Sequence, residues 1–163
     1  MPIPRCLVPW RFGALRVSGA RTLCVLVAAL AVASMSAVAI AAGTHTLATG
    51  KASVSGKTKT VVVNAHGVTL YTLSSETARH LKCTPSVCLS TWPPYKVTAG
   101  AKLTKTSAIR GSIGRLHRIR AKFYQVTLNG RPLYTFVRDA AKKGSAKGQG
   151  ITAFGGTWHV VSP

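Results

Sequence analysis

Carboxylates are the scarcest chemistry in this chain. Of 163 residues only two are acidic, Glu76 and Asp139, against 22 lysines and arginines. That shortage excludes most reactions worked by acids. A glycosidase needs paired carboxylates at a set separation, and a single pair is all the chain contains. A calcium or magnesium site usually takes six or more oxygen contacts, of which two acids supply a minority. Other signatures are missing as well. No Gly-x-Ser-x-Gly elbow accompanies His66, His80 or His159. No phosphate-cradling loop or dinucleotide fingerprint occurs, Gly148-Gln149-Gly150 being too short to count. The four cysteines have no histidine or third cysteine at finger-like spacing, His80 being the only near candidate. On these grounds the expectation is a protein that is not an enzyme, with no metal and no cofactor.

The chain opens with Arg5, Arg11, Arg16 and Arg21, followed by an uncharged Ala/Val/Leu-rich run from Thr22 to Gly43. Small residues at Ala37-Val38-Ala39 and Ala39-Ile40-Ala41 suit a signal peptidase. Residues 1–41 therefore read as an export signal, the competing reading being an uncleaved membrane anchor. Cys24 follows Arg21-Thr22-Leu23, which is not a lipidation site. Removing the signal leaves 18 basic residues (22 − 4) against two acidic, a net charge near +16. Such a charge attracts polyanions. Export makes an anionic cell-wall polymer or a membrane surface the expected partner, and no physiological nucleic acid is expected.

Cys83 and Cys88 remain after export, and an oxidising compartment would join them across a short loop. Residues 42–58 are small and polar without an apolar period and read as a flexible tether. Val61-Val62-Val63, a turn at 64–67 and Val68 to Leu73 read as a hairpin whose second strand carries apolar groups on both faces. Residues 77–91 read as a loop with one helical turn. Trp92-Pro93-Pro94-Tyr95 is held extended by its prolines, and Ala99 to Arg110 reads as an exposed crossing. Residues 113–137 read as a three-stranded meander, with a type I′ turn at Asn129-Gly130. Thr157 to Val161 closes the chain as a strand. The fold class is all-β: a small antiparallel domain of two hairpin-based repeats, about 60–98 and 113–163, within a domain spanning 59–163.

The repeat is explicit. Leu70-Tyr71-Thr72 and Leu133-Tyr134-Thr135 are followed at equal distance by Glu76 and Asp139, and each leucine is preceded by Gly67 or Gly130. The offset is constant, since 134 − 71 and 139 − 76 both give 63. Both acids of the chain thus stand at equivalent points. With Cys83…Cys88, Trp92-Pro93-Pro94, Gly148-Gln149-Gly150 and Trp158-His159-Val160-Val161-Ser162-Pro163, these motifs resemble the bacterial secreted-repeat family, predicted lipoproteins with a Tyr-x4-Asp motif. The resemblance covers about residues 60–163. It departs from the family at Glu76, where aspartate is usual, and in lacking a lipobox, so lipid anchoring does not carry over. It implies an exported envelope protein of no established molecular function.

The motif residues Tyr71, Glu76, Tyr134 and Asp139 admit two roles. Each carboxylate takes backbone N–H groups of the loop after it and locks the corner between repeats. Alternatively, the two converge on a cation or a metal-bearing ligand, making the protein an accessory of envelope redox chemistry. Trp92 and Trp158 are expected to fill the core. Arg110, Arg115, Arg118, Arg120 and Lys122 form a basic stretch, read either as a solvated strand face or as a dock for anionic polymer. Tyr95, Phe123 and Tyr124 beside it are of a kind that stacks on bases in single-strand binders.

Overall fold

The computed structural model describes residues 45–139 and 143–163; the expected signal or anchor at 1–41 lies outside them. Strands β1 (Leu47–Val54) and β2 (Lys57–Asn64) form an antiparallel hairpin, in register from Leu47↔Asn64 to Val54↔Lys57. This corrects the flexible tether expected up to residue 58. The strand is hidden in the sequence because the inward positions between Leu47 and Val54 are small. Gly50 lies against the Val63 side chain, where an added Cβ would meet a methyl at 2.9 Å, and Ala52 is buried. The apolar bulk comes from β2, so β1 needs little of its own. Its turn, Ser55-Gly56, has both φ angles positive (50° and 77°), as a type I′ turn requires.

Strand β2 is covered on both faces. Val62 joins Leu47, Leu70, Ile109, Val126, Leu128, Leu133 and Val161 in one core. Val61 and Val63 point the other way, onto Ala52, Val54 and Ala146. Beyond the 64–67 turn, Leu70 N–H donates to Val62 O (3.0 Å) and the chain continues into β3 (Tyr71–Leu73). A short helix α1 (Ser86–Thr91) follows, pinned by the Cys83–Cys88 disulfide, and then β4 (Lys96–Val97). The expected exposed crossing is seated instead. Ile109 is buried, and Thr104 and Thr106 hydrogen-bond the two sides of Leu47.

The meander is formed by β5 (Ile113–Arg118), β6 (Phe123–Leu128) and β7 (Arg131–Pro132). Asn129 and Gly130 turn the chain at φ 52° and 71°. The last pair is β8 (Thr152–Ala153) and β9 (Gly156–Val160). Hydrogen-bonded neighbours give three sheets: β1-β2, β3-β9-β8, and β4-β6-β5, with β7 also paired to the Thr127-Leu128 end of β6. The protein is all-β with one local disulfide.

Alternation along the strands divides the repeated Leu-Tyr motif between two cores. Leu70 and Leu133 enter the core built on Val62, whereas Tyr71 and Tyr134 enter an aromatic one. Successive side chains of extended chain point to opposite faces, so the dipeptide joins the two cores at both repeats.

Candidate functional site

The two repeats are interleaved. Tyr71 and Tyr134 pair with each other as an antiparallel bridge, each N–H donating to the other's carbonyl at 2.9 and 3.0 Å. Each tyrosine segment then pairs with the tryptophan segment of the other repeat. Strand β3 lies on β9, with Tyr71 opposite Val160 and Leu73 opposite Trp158. Tyr134 lies opposite Pro94, and Thr135 N–H donates to Pro93 O (2.9 Å). Neither repeat completes its own pairing.

The aromatic rings lock this exchange from inside. Trp92 and Trp158 stack with centroids 3.9 Å apart and planes 4° from parallel. Tyr71 meets Trp92 edge-on at 5.4 Å, and Tyr134 meets Trp158 edge-on at 5.1 Å, the same contact in each repeat. Phe136 stacks on the other side of Trp92 at 4.3 Å. Offset-stacked and edge-to-face contacts add stabilisation beyond the area buried. Gly148 completes the cradle: a Cβ there would come within 2.7 Å of Trp92 and 3.0 Å of Tyr71, so no larger residue fits without movement.

Both acids are buried in this core, at 0% exposure for Glu76 and 1% for Asp139. They do not share a site. Asp139 Oδ1 accepts from the Ser145 hydroxyl (2.7 Å) and the Lys147 N–H (2.9 Å), and Oδ2 accepts from the Tyr71 hydroxyl (2.5 Å). Glu76 Oε1 accepts from the N–H groups of Lys82 (2.9 Å) and Cys83 (3.0 Å). Each carboxylate therefore gathers the loop that follows it, and each faces the tyrosine of the other repeat. The second pair is looser. The Glu76 charge raises the pKa of the Tyr134 hydroxyl, but Oε2 has no donor in hydrogen-bond geometry among the described residues. The longer glutamate at the first corner, against aspartate at the second, is the evident difference between the two.

Arg118, expected on the basic surface, is in the core instead, at 6% exposure. Its guanidinium donates to Gln125 Oε1 (3.1 Å), the Tyr134 hydroxyl (3.2 Å) and Cys83 O (2.6 Å). It brings positive charge to the Tyr134 side of the core, where Glu76 brings negative charge. Its place among Arg115, His117 and Arg120 hides this role in the sequence. The signal that could have found it is alternation on β5, which sets Arg118 on the face of Leu116 and away from Arg115 and His117. Of the other basic residues, Arg110, Arg115, Arg120 and Lys122 are exposed, and Arg115 also donates to Ala99 O and Ala101 O.

The aromatics beside that stretch are already covered. Tyr124 carries His117 stacked at 4.4 Å with Arg115 at 5.9 Å. Phe123 has Lys96 at 4.7 Å and Arg118 at 5.9 Å. The Tyr95 hydroxyl donates to Thr46 O (3.0 Å) and its pKa is raised by burial. Among the described residues, no group of three or more His, Cys, Asp or Glu stands where it could hold a metal ion.

Burial first, and the facing carboxylate second, hold both motif tyrosines well above the ordinary phenol value of 10. For Tyr71 the Asp139 hydrogen bond adds to burial and the Gly148 N–H opposes it; for Tyr134 the Arg118 charge opposes. A group whose folded pKa is raised keeps its full contribution below the unfolded value and loses it as pH climbs above. Stability is therefore expected to be level with respect to these groups up to about pH 9. Above about pH 10 it should fall by up to about 1.4 kcal/mol per pH unit for each tyrosine. Urea unfolding at stepped pH measures this, and Tyr71→Phe should flatten the slope by about one tyrosine's share. A slope unchanged in that variant would show that Tyr71 is not shielded.

A family model described as a secreted repeat of unknown function matches residues 124–162, from Tyr124 in β6 through Tyr134, Asp139 and Trp158 to Ser162. No curated protein and no solved structure matches the chain. The matched stretch is the second of the interleaved repeats, and a secreted repeat accords with an extracytoplasmic location. Over residues 124–162 the chain is similar to that secreted repeat.

Proposed function

We propose that the domain is a non-enzymatic module of the cell envelope that binds anionic polymer through a surface bearing only cationic side chains. The observation that carries this reading is where the acids lie. The chain has two, and both are in the aromatic core. No side-chain carboxylate is left on the outside to offset Lys51, Lys57, Lys59, Lys96, Arg110, Arg120, Lys122 and the other exposed cations. An interspersed surface of both signs would be nearly neutral at a distance; this one is a continuous positive field, which attracts a polyanion from any side. Hydrogen bonding of both acids to nearby loops supports a structural role for them. The alternative, a metal- or cofactor-binding accessory using Glu76 and Asp139, is less favoured, since the two acids take donors from different loops and only Glu76 Oε2 is without one.

Binding of this kind is salt-dependent, because each neutralised anion releases a counterion. Sedimentation with isolated cell wall is expected to carry the protein down at low ionic strength and to release it by about 0.5 M salt, beyond which exposed charges are screened within about 4 Å. No sedimentation at low ionic strength would end the reading.

A further inference from the structure

Strand β5 leaves one edge of its sheet open. Asn129 N–H donates to Ser112 O, which sets the phase of the β5–β6 ladder. Residues 114, 116 and 118 therefore exchange hydrogen bonds with β6, and the N–H and C=O groups of Ile113, Arg115 and His117 point away from it. The same phase turns Val126 of β6 to the opposite side, and its N–H does donate to Tyr95 O there (2.9 Å). Among the described residues β5 pairs with no other strand, and no backbone hydrogen bond reaches its outward groups. The outer edge of β1 is different, being held at both ends by bridges from Leu47 to Lys105 and from Ser53 to Ser145.

A groove of about 540 Å³ lies along this edge, lined by the consecutive residues Leu116, His117 and Arg118 of β5. No residue of β6 is in its lining, so it runs beside the sheet and not over its face. Leu81, Pro85 and Leu89 give it apolar surface, as does Ile119, which is 75% exposed. Side chains alternate along β5, with Leu116 on one face and the exposed Arg115 and His117 on the other. A strand laid along the edge alternates in step. One set of its side chains falls on the face of Leu116, and the other on the face of Arg115 and His117.

We propose that the open edge of β5 accepts an extended segment of another protein as an added strand, its acidic side chains beside Arg115 and its apolar ones in the groove. In such strand addition backbone hydrogen bonds supply the affinity, and alternate side chains supply the specificity. Charge complementarity selects the occupant, because opposite charges on neighbouring strands attract and like charges repel. Arg115 keeps its charge while donating to Ala99 O and Ala101 O, and Arg120 adds another at the groove. A second copy of this chain is a poor occupant, since both its acids are buried and the exposed charged side chains of the described residues are all cationic. Cations on an edge turn such strands away. An acidic strand is the one they admit. The inference goes beyond the polymer reading, since it needs the backbone groups of one edge and not surface charge alone.

The test uses the exported protein and a short labelled peptide of alternating glutamate and valine, read by fluorescence anisotropy. Two further peptides carry N-methyl groups on every valine or on every glutamate, which blocks the donors of one peptide edge and leaves the charge unchanged. The parent peptide is expected to bind. One of the methylated pair should bind at least about tenfold more weakly, while the other binds as the parent does. In the complex the amides of Ile113, Arg115 and His117 should exchange more slowly with solvent. His117→Pro removes one outward N–H and no ladder bond, a change that edge strands tolerate. It should weaken the peptide about tenfold and leave polyphosphate binding unchanged. Equal binding by all three peptides would reduce the attraction to charge and overturn the proposal. Loss in both methylated peptides would overturn it too, as would no binding of the parent or equal binding by folded His117→Pro. So would unchanged amide exchange in the wild-type complex, a measurement that stands even if the proline variant fails to fold. Each of these leaves the polymer reading standing, which polyphosphate binding by wild type tests separately.

Discussion

Trp158→Ala is expected to remove about 4 kcal/mol of stability, the usual cost of deleting a large core aromatic. That loss corresponds to a fall of about 15 °C in Tm for a domain of this size. The expectation rests on position as well as size. Trp158 is fully buried, stacks on Trp92, meets Tyr134 edge-on, and stands on β9 opposite Leu73 of the other repeat. Its removal empties the centre of the exchange between repeats. Trp158→Phe should cost much less. It keeps an apolar ring against Trp92 and discards an Nε1–H that has no acceptor among the described residues. Urea unfolding of both variants is the measurement. A loss under about 1 kcal/mol for the alanine would mean that the stack is not what holds the repeats together.

Asp139→Asn should cost about 2–3 kcal/mol, the range for a buried hydrogen bond to a charged group. Both carboxylate oxygens accept from donors, so the new amide N–H₂ must face one of them. Placed at Oδ2 it meets the Tyr71 hydroxyl, which already accepts the Gly148 N–H at 3.3 Å; placed at Oδ1 it meets Ser145 and Lys147. Glu76→Gln should be milder, under about 1 kcal/mol, because Oε2 has no donor to lose. The same variants decide between lock and ligand site. A lock predicts melting temperatures that calcium or magnesium leaves unchanged in wild type and Asp139→Asn alike. Stabilisation of wild type alone by either ion would make the acids a ligand pair.

Much of the fold was legible because the strands announce themselves with β-branched and aromatic residues at period two. The meander at 113–137, its Asn129-Gly130 turn and the closing strand at Thr157 to Val161 are all present. The hairpin β1–β2 was not legible. Between Leu47 and Val54 the strand runs through Ala, Thr, Gly, Lys and Ser with no apolar period, and the burial of that middle depends on valines that belong to its partner. Arg118 was misjudged for a similar reason. Alternation puts Arg118 on the face of Leu116, but the sequence does not show that Gln125, Tyr134 and Cys83 cover that face.

Sequence alone determined the repeat, its 63-residue offset and the placing of both acids at equivalent corners, because these are matters of order along the chain. It also determined the excess of positive charge. Only the tertiary structure decided that the repeats exchange partners, Tyr71 reaching Asp139 and β9 while Tyr134 reaches the Pro93-Pro94 segment. Two similar segments can pair within a repeat or across repeats using the same residues and the same backbone hydrogen bonds. The choice follows from which arrangement lets Trp92 and Trp158 stack and supplies the two buried acids with hydrogen-bond donors, and those contacts exist only once the distant parts of the chain have met.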